Sequence, residues 1–268
     1  MKLTVSTLSC PAWDLRRIVE VCAEYGIKGI DFRGLGAEID ITKLPQFNEH
    51  LDTTLALLRE FGLSTPCLNT SVTLVSPSAG RWEAMLEEAQ RYGQLAARTG
   101  TTMLRIFGGG VPKGMDRDEG RMMAQRHLRQ VVKICKAHGC VPVLETHDDW
   151  RTSTQVLELL HEFDPADVGV LWDVEHPWRA GEAPQDTAAK LKRFIRHVHV
   201  KDSLGDERRP TLLGEGSIRL ADCAAAMREI GYDDWYCLEC EKRWDEKAPE
   251  PEVGIPQFAT YMRDRWNR

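Results

Sequence analysis

The sequence has 268 residues, 42% hydrophobic and 28% charged, enough apolar material for one large core or two ordinary ones. A net charge of −6 argues against a broadly basic nucleic-acid-binding surface. No apolar run approaches the roughly 18 residues of a membrane span, and the start, MKLTVSTLSCPAWDLRR, lacks the apolar stretch of a secretion signal.

Short apolar strand candidates alternate with helical patterns along the chain. Leu3–Leu8 is the first strand, followed by a helix with Asp14 as N-cap and Gly26 as its stop. Lys28–Phe32 is second, with a helix near Glu49–Phe61 that ends at Gly62. Ser64–Asn69 is third, followed by a helix from Arg81 to Gly100. Thr102–Phe107 is fourth; Gly108–Gly110 turns the chain, and a helix runs from Arg117 to His138 with its stop at Gly139. The remaining strands are Val141–Glu145, Val168–Asp173, Arg196–Lys201 and Trp235–Glu241. Helices near Thr154–Phe163, Asp186–Arg193, Ile218–Ile230 and Val253–Trp266 fill the gaps. Eight βα units in a chain of this length predict an α/β fold, a (β/α)8 TIM barrel, with residues 1–268 forming one domain. An open doubly wound sheet fits less well, because the first turn, SCPAWD, has no glycine to cradle a phosphate.

In such a barrel, chemistry sits at the C-terminal ends of the strands. The period of two puts Val141, Val143 and Glu145 on one face, and likewise Gly169, Leu171 and Asp173. It groups His197, His199 and Lys201, and Trp235, Cys237 and Glu239, in the same way. Glu145, Asp173, His199 and Glu239 therefore reach the same end of four strands. Three converging carboxylates repel one another in a low dielectric, and a divalent cation resolves that conflict. The oxygen-rich set predicts one divalent ion, Mn²⁺ first, with Mg²⁺, Co²⁺ or Zn²⁺ as alternatives.

The motifs VLETH, LWDVEHP, HVHVKD, LLGEGSI and CLECEKRW, in that order, resemble the xylose isomerase-like TIM barrels. More narrowly, they are similar to the sugar phosphate isomerase/epimerase branch, with its ketose epimerases and inosose isomerases and dehydratases. The resemblance implies the same four metal ligands and makes His176, three residues after Asp173, a substrate-binding residue. It also implies Glu145 and Glu239 as catalytic acid/base groups on opposite faces of a carbon next to a carbonyl, acting through an enediolate. Glu241 shares the parity of Glu239; Glu239 is favoured because it directly ends the apolar part of the strand. Lys201, Arg105, His147 and Trp13 are further substrate-binding candidates, each with an ordinary packing or ion-pair role as its rival. Arg208 and Arg209 read as solvated charges.

The expected function is isomerisation or epimerisation of a keto sugar or inosose. A lyase or dehydratase using the same site is the alternative, with His147 or Lys201 as acid. An apurinic-site endonuclease is remote: Asn69 and Arg105–Phe107 stand where that design has histidines, and the charge is negative. The expected partner is a small sugar or polyol-derived ketone, with no nucleic acid and no membrane, and a homo-oligomer is left open. Cys10, Cys22, Cys67, Cys135, Cys140, Cys223, Cys237 and Cys240 show no framework spacing and read as buried, reduced thiols, which predicts a cytoplasmic protein. Cys237 and Cys240 match C-x-x-C, but a strand would point them to opposite faces. His50, His127, His138 and His161 fall in helical patterns, and His138 before Gly139 suits a helix C-terminus.

Overall fold

The computed structural model describes residues 1–266. Its parallel strands are β1 (Lys2–Ser6), β2 (Gly29–Asp31), β3 (Cys67–Thr73), β4 (Met103–Phe107), β5 (Val141–Glu145), β6 (Gly169–Asp173) and β7 (Ile195–Val200), with β10 (Trp235–Leu238) as the eighth. A short antiparallel hairpin, β8 (Asp202–Leu204) and β9 (Arg209–Thr211), lies between the last two. The helices are α1 (Leu15–Glu24), α2 (Leu51–Glu60), α3 (Ala79–Thr99), α4 (Arg117–Ala137), α5 (Ser153–Leu160), α6 (Glu175–Arg179), α7 (Pro184–Leu191), α8 (Leu220–Glu229) and α9 (Pro251–Tyr261).

Local chemistry explains the boundaries. Asp14 caps α1 by accepting from Arg17 N, and Gly26 turns the chain after it at φ 74°. Asp116 and Glu119 form a reciprocal capping box on α4, and Thr152 and Gln155 form another on α5. All eight βα units expected from the sequence are present, with several ends moved. The first strand stops at Ser6, because Ser6 caps a 3-10 turn over Thr7–Ser9. The third begins at Cys67, just after Pro66, and runs on to Thr73 through an irregularity past Asn69. Lys201 and Glu239 lie just beyond β7 and β10 and not within them. The last helix carries Pro256 inside it and gives way to a π-type turn over Met262–Trp266.

The described chain divides into two compact units. The first comprises Met1–Pro66 and the segment from His197 onward; the second is Cys67–Arg196. In the first, the strands run in the order β2-β1-β10-β7, and Thr4, Cys237 and His199 stand side by side in register. In the second, the order is β6-β5-β4-β3, with Glu145 beside Phe107 on one side and Leu171 on the other. Every residue of β6 and all but the first of β5 are buried, the pattern of parallel strands covered on both faces. Helix α3 packs on β3 and on α4, and α4 packs on β5.

Candidate functional site

The second unit places three charged residues at or near strand ends: Arg105 on β4, Glu145 at the end of β5 and Asp173 at the end of β6. All three are buried. Arg105 Nε lies 3.4 Å from Glu145 Oε2, and its guanidinium stacks 3.8 Å from the centre of the Phe107 ring. A buried carboxylate needs such a partner; losing one member of a buried pair typically costs about 3–5 kcal/mol. Asp173 is tied into the backbone. Its N–H donates to Thr146 Oγ1 at 3.0 Å, and its Oδ1 accepts from Glu175 N at 2.8 Å at the start of α6.

His147 and His176 complete this group. Their rings meet edge-on with centroids 4.4 Å apart, and His147 also lies against Phe107. His176 Nε2 is 3.9 Å from Asp173 Oδ2. His147 Nδ1 pairs with Asp148 Oδ1 at 2.9 Å. Burial alone would lower the pKa of His147, but Asp148, Glu145 and Asp173 together raise it above the ordinary histidine value. Asp148 holds φ 52°, a left-handed conformation that Asp tolerates better than most residues.

The first unit gathers His199, Lys201 and Glu239. His199 Nδ1 is 3.2 Å from Glu239 Oε1, and Lys201 Nζ is 2.7 Å from Glu239 Oε2. The Glu239 backbone N–H donates to Val200 O at 3.2 Å, which ties its position to the end of β7. Burial would raise this carboxyl, yet the positive charges of His199 and Lys201 outweigh it and hold Glu239 well below the usual carboxylate range. Glu241, the alternative by parity, has a side chain 44% exposed and reaches Lys201 only at 4.0 Å. Glu239 is buried.

Other candidates fall outside these groups. Trp13 is buried beneath Arg17, whose guanidinium lies 4.3 Å from the ring centre. Arg208 and Arg209 belong to the β8–β9 hairpin and are exposed. The eight cysteines are free thiols, all but Cys240 buried. His127 is buried against Trp82, its Nδ1–H donating to Leu74 O at 2.7 Å, and His138 caps α4.

Two features lie outside the site residues singled out by motif and strand parity. Glu175 is buried and pairs with Arg179 on α6, a helix too short to show a period. Asp31, at the end of β2, pairs with His197 in the core, both side chains fully buried. The signal for that pair was the parity His197 shares with His199.

No helix among the described residues is long and apolar enough to cross a membrane. Among curated relatives, the chain is 27% identical over 187 residues to a 3-dehydroshikimate dehydratase of Bacillus anthracis, covering 69% of this chain and 65% of that one. The match thus spans slightly less than two thirds of that relative. It is 22% identical to L-ribulose-5-phosphate 3-epimerase UlaE of Salmonella paratyphi C, across 88% of this chain and 86% of that one. A solved structure described as IOLI protein with a binding zinc atom superposes with a TM-score of 0.82 at 18% identity, over 97% of each chain. Residues 19–264 match the family described as xylose isomerase-like TIM barrel. The chain belongs to that family, and its eight βα units are those of the (β/α)8 barrel.

Proposed function

We propose that this chain is a divalent-metal-dependent enzyme that removes a proton from the carbon next to a carbonyl in a keto sugar, inosose or related polyol-derived ketone. The observation that carries this reading is the donor set: Glu145, Asp173, His199 and Glu239, all buried, each at or just past the end of one of the last four strands of a family barrel. Those ends are where this barrel architecture builds its active sites. The family match runs through both compact units, which supports reading residues 1–268 as one domain.

Three carboxylates and one imidazole suit a hard or borderline divalent ion, with Mn²⁺ the first candidate and Mg²⁺, Co²⁺ and Zn²⁺ the alternatives. The zinc in the IOLI relative supports a divalent ion at this kind of centre. When bound, the ion would polarise the carbonyl and a neighbouring hydroxyl of the substrate. Glu145 and Glu239 would then remove and return the proton. Lys201 and His199 hold Glu239 ionised in a buried setting, which a base requires, and Arg105 sets a positive charge 3.4 Å from Glu145. His176 would hydrogen-bond a substrate oxygen, and Lys201, Arg105, His147 and Trp13 would line the substrate's path.

Epimerisation or isomerisation is the first form of this reaction, and the epimerase relative supports it. Dehydration is the second, and the Bacillus anthracis relative favours it. The same α-proton leaves, then a β-hydroxyl departs as water once His147, paired with Asp148, protonates it. The test is a panel of ketoses, inososes, keto-glycosides and 3-dehydroshikimate with the metal-loaded protein in deuterated water. Deuterium at the α-carbon of epimerised or isomerised product marks isomerase chemistry, and an unsaturated product marks dehydratase chemistry. Failure of every substrate both to exchange at its α-carbon and to give an unsaturated product would sink both forms.

A further inference from the structure

A second cluster of donor atoms lies wholly within the first unit. Asp31 on β2, His197 and His199 on β7 and Cys237 on β10 are all fully buried. One ligand atom from each lies within 4.8 Å of those of the others. Register brings them together: His199 stands beside Cys237, Cys237 beside Thr4, and Asp31 beside Ser6 two residues further along β1.

We propose that this cluster is a second metal site, selective for zinc or another thiophilic divalent ion. Its chemistry differs from that of the carboxylate-rich set. Two imidazoles, a thiol and a carboxylate form a softer environment, of the kind that prefers Zn²⁺ or Co²⁺ over Mg²⁺ or Mn²⁺. Bonds of about 2.0–2.3 Å to a tetrahedral ion place ligand atoms roughly 3.3–3.8 Å from one another. The 4.8 Å limit on the cluster's separations is about 1 Å wider than that spacing.

The second observation is the state of His197. Its Nε2 is 2.5 Å from Asp31 Oδ2, and Thr4 Oγ1 donates to the other oxygen of Asp31 at 3.0 Å. Its Nδ1 is buried and has no hydrogen-bond partner among the described residues. A histidine held by a carboxylate through one ring nitrogen, with the other left unsatisfied, is the arrangement that metal-ligating histidines adopt. Cys237, His197 and His199 are then the ligands. Asp31, bonded to Nε2 on the far side of the ring, orients His197 from outside the ligand set.

The proton balance is simple. The ion binds Cys237 as the thiolate, and the thiol proton, which now donates to Leu238 O, leaves to solvent. His197 keeps its proton on Nε2, bonded to Asp31. Because His199 belongs to both donor sets, an ion at one changes the affinity of the other. The proposal does not rest on the reaction assigned above, since its readout is optical and needs no substrate.

The experiment is a Co²⁺ titration of the metal-free full chain, followed by absorption spectroscopy. A thiolate-to-cobalt charge-transfer band in the near ultraviolet is expected in the wild type. It should vanish in Cys237→Ala and persist in the Glu145→Gln/Asp173→Asn double variant. Asp31→Asn should weaken cobalt binding by about 10–100-fold, the usual effect of losing a carboxylate behind a ligating histidine. A wild-type protein that binds cobalt without the band, or a band that survives in Cys237→Ala, overturns the proposal. If Cys237→Ala does not fold, His197→Gln decides: a loss of band affinity of at least about 10-fold supports the site, and unchanged affinity overturns it.

Discussion

Lys201 Nζ lies 2.7 Å from Glu239 Oε2, and it is this ammonium, together with His199, that keeps a fully buried glutamate ionised. The first prediction follows from its sign. Lys201→Met removes a positive charge, so the carboxyl rises from its depressed value towards or above the ordinary range. The acid limb of the kcat/KM profile should move to higher pH, while Lys201→Arg should keep most of the wild-type profile. An acid limb that stays in place in Lys201→Met would show that Glu239 is not the titrating base.

Glu145→Gln and Glu239→Gln each keep an oxygen for the ion but remove a base. Turnover should fall by roughly 10²–10⁴-fold in each. In an epimerase each glutamate serves one face, so either variant should still exchange the proton on the other face with deuterium. In a dehydratase one variant should abolish exchange, and the other should chiefly slow departure of water. Mass spectrometry of recovered substrate separates these outcomes. Wild-type turnover in both variants would refute the assignment.

His199 is expected to be needed for metal. In His199→Gln the protein should fold, as judged by circular dichroism, but purify without a stoichiometric divalent ion. Chelation by EDTA should lower the melting temperature of the wild type, since an ion at 100 times its Kd stabilises by about 2.7 kcal/mol. It should leave the variant's melting unchanged. Equal metal content in variant and wild type would remove His199 from the ligand set.

A stability prediction concerns Glu182, away from these groups. It accepts from Ser153 N at 2.9 Å and Thr187 Oγ1 at 2.8 Å, and Lys190 Nζ lies 3.4 Å away. Burial raises its pKa, but these donors outweigh burial and leave it below the ordinary glutamate value. A folded-state pKa below the unfolded one contributes stability above the unfolded value, and that contribution is lost as pH falls through the folded value. Glu182→Gln should therefore cost about 1.5–3 kcal/mol near neutral pH, or about 3–10 °C in Tm. The gap between variant and wild type should persist down to about pH 4.5 and close below it. A gap independent of pH would mean packing, not charge, is at stake.

The carboxylates of the second unit were legible because β5 and β6 alternate cleanly and end on Glu145 and Asp173. Lys201 and Glu239 were placed on the right side of the chain but inside strands that stop one residue earlier. That error is small because extended backbone continues the same parity. The α6 helix was missed because five residues show no period, and because its start depends on Asp173 accepting from Glu175 N, a tertiary and not a propensity effect. The Asp31–His197 pair was missed for a different reason. An aspartate ending the run KGID looks like a solvent-facing strand end, and only the register of β2 with β1 turns it inward.

Asp202 carries one further implication. Its carboxylate accepts backbone N–H groups from Ser203, Gly214, Gly216 and Ile218, so a single side chain gathers both ends of the segment that contains the β8–β9 hairpin. Gly216 approaches so closely that a Cβ there would lie 2.0 Å from Asp202 Oδ1. The amides of residues 203–218 therefore have one common latch, and their exchange with solvent should be concerted. The hairpin tip at Gly205–Arg208 lies between the clasped ends, so chain length there can vary in evolution without loosening the strand ends it hangs from.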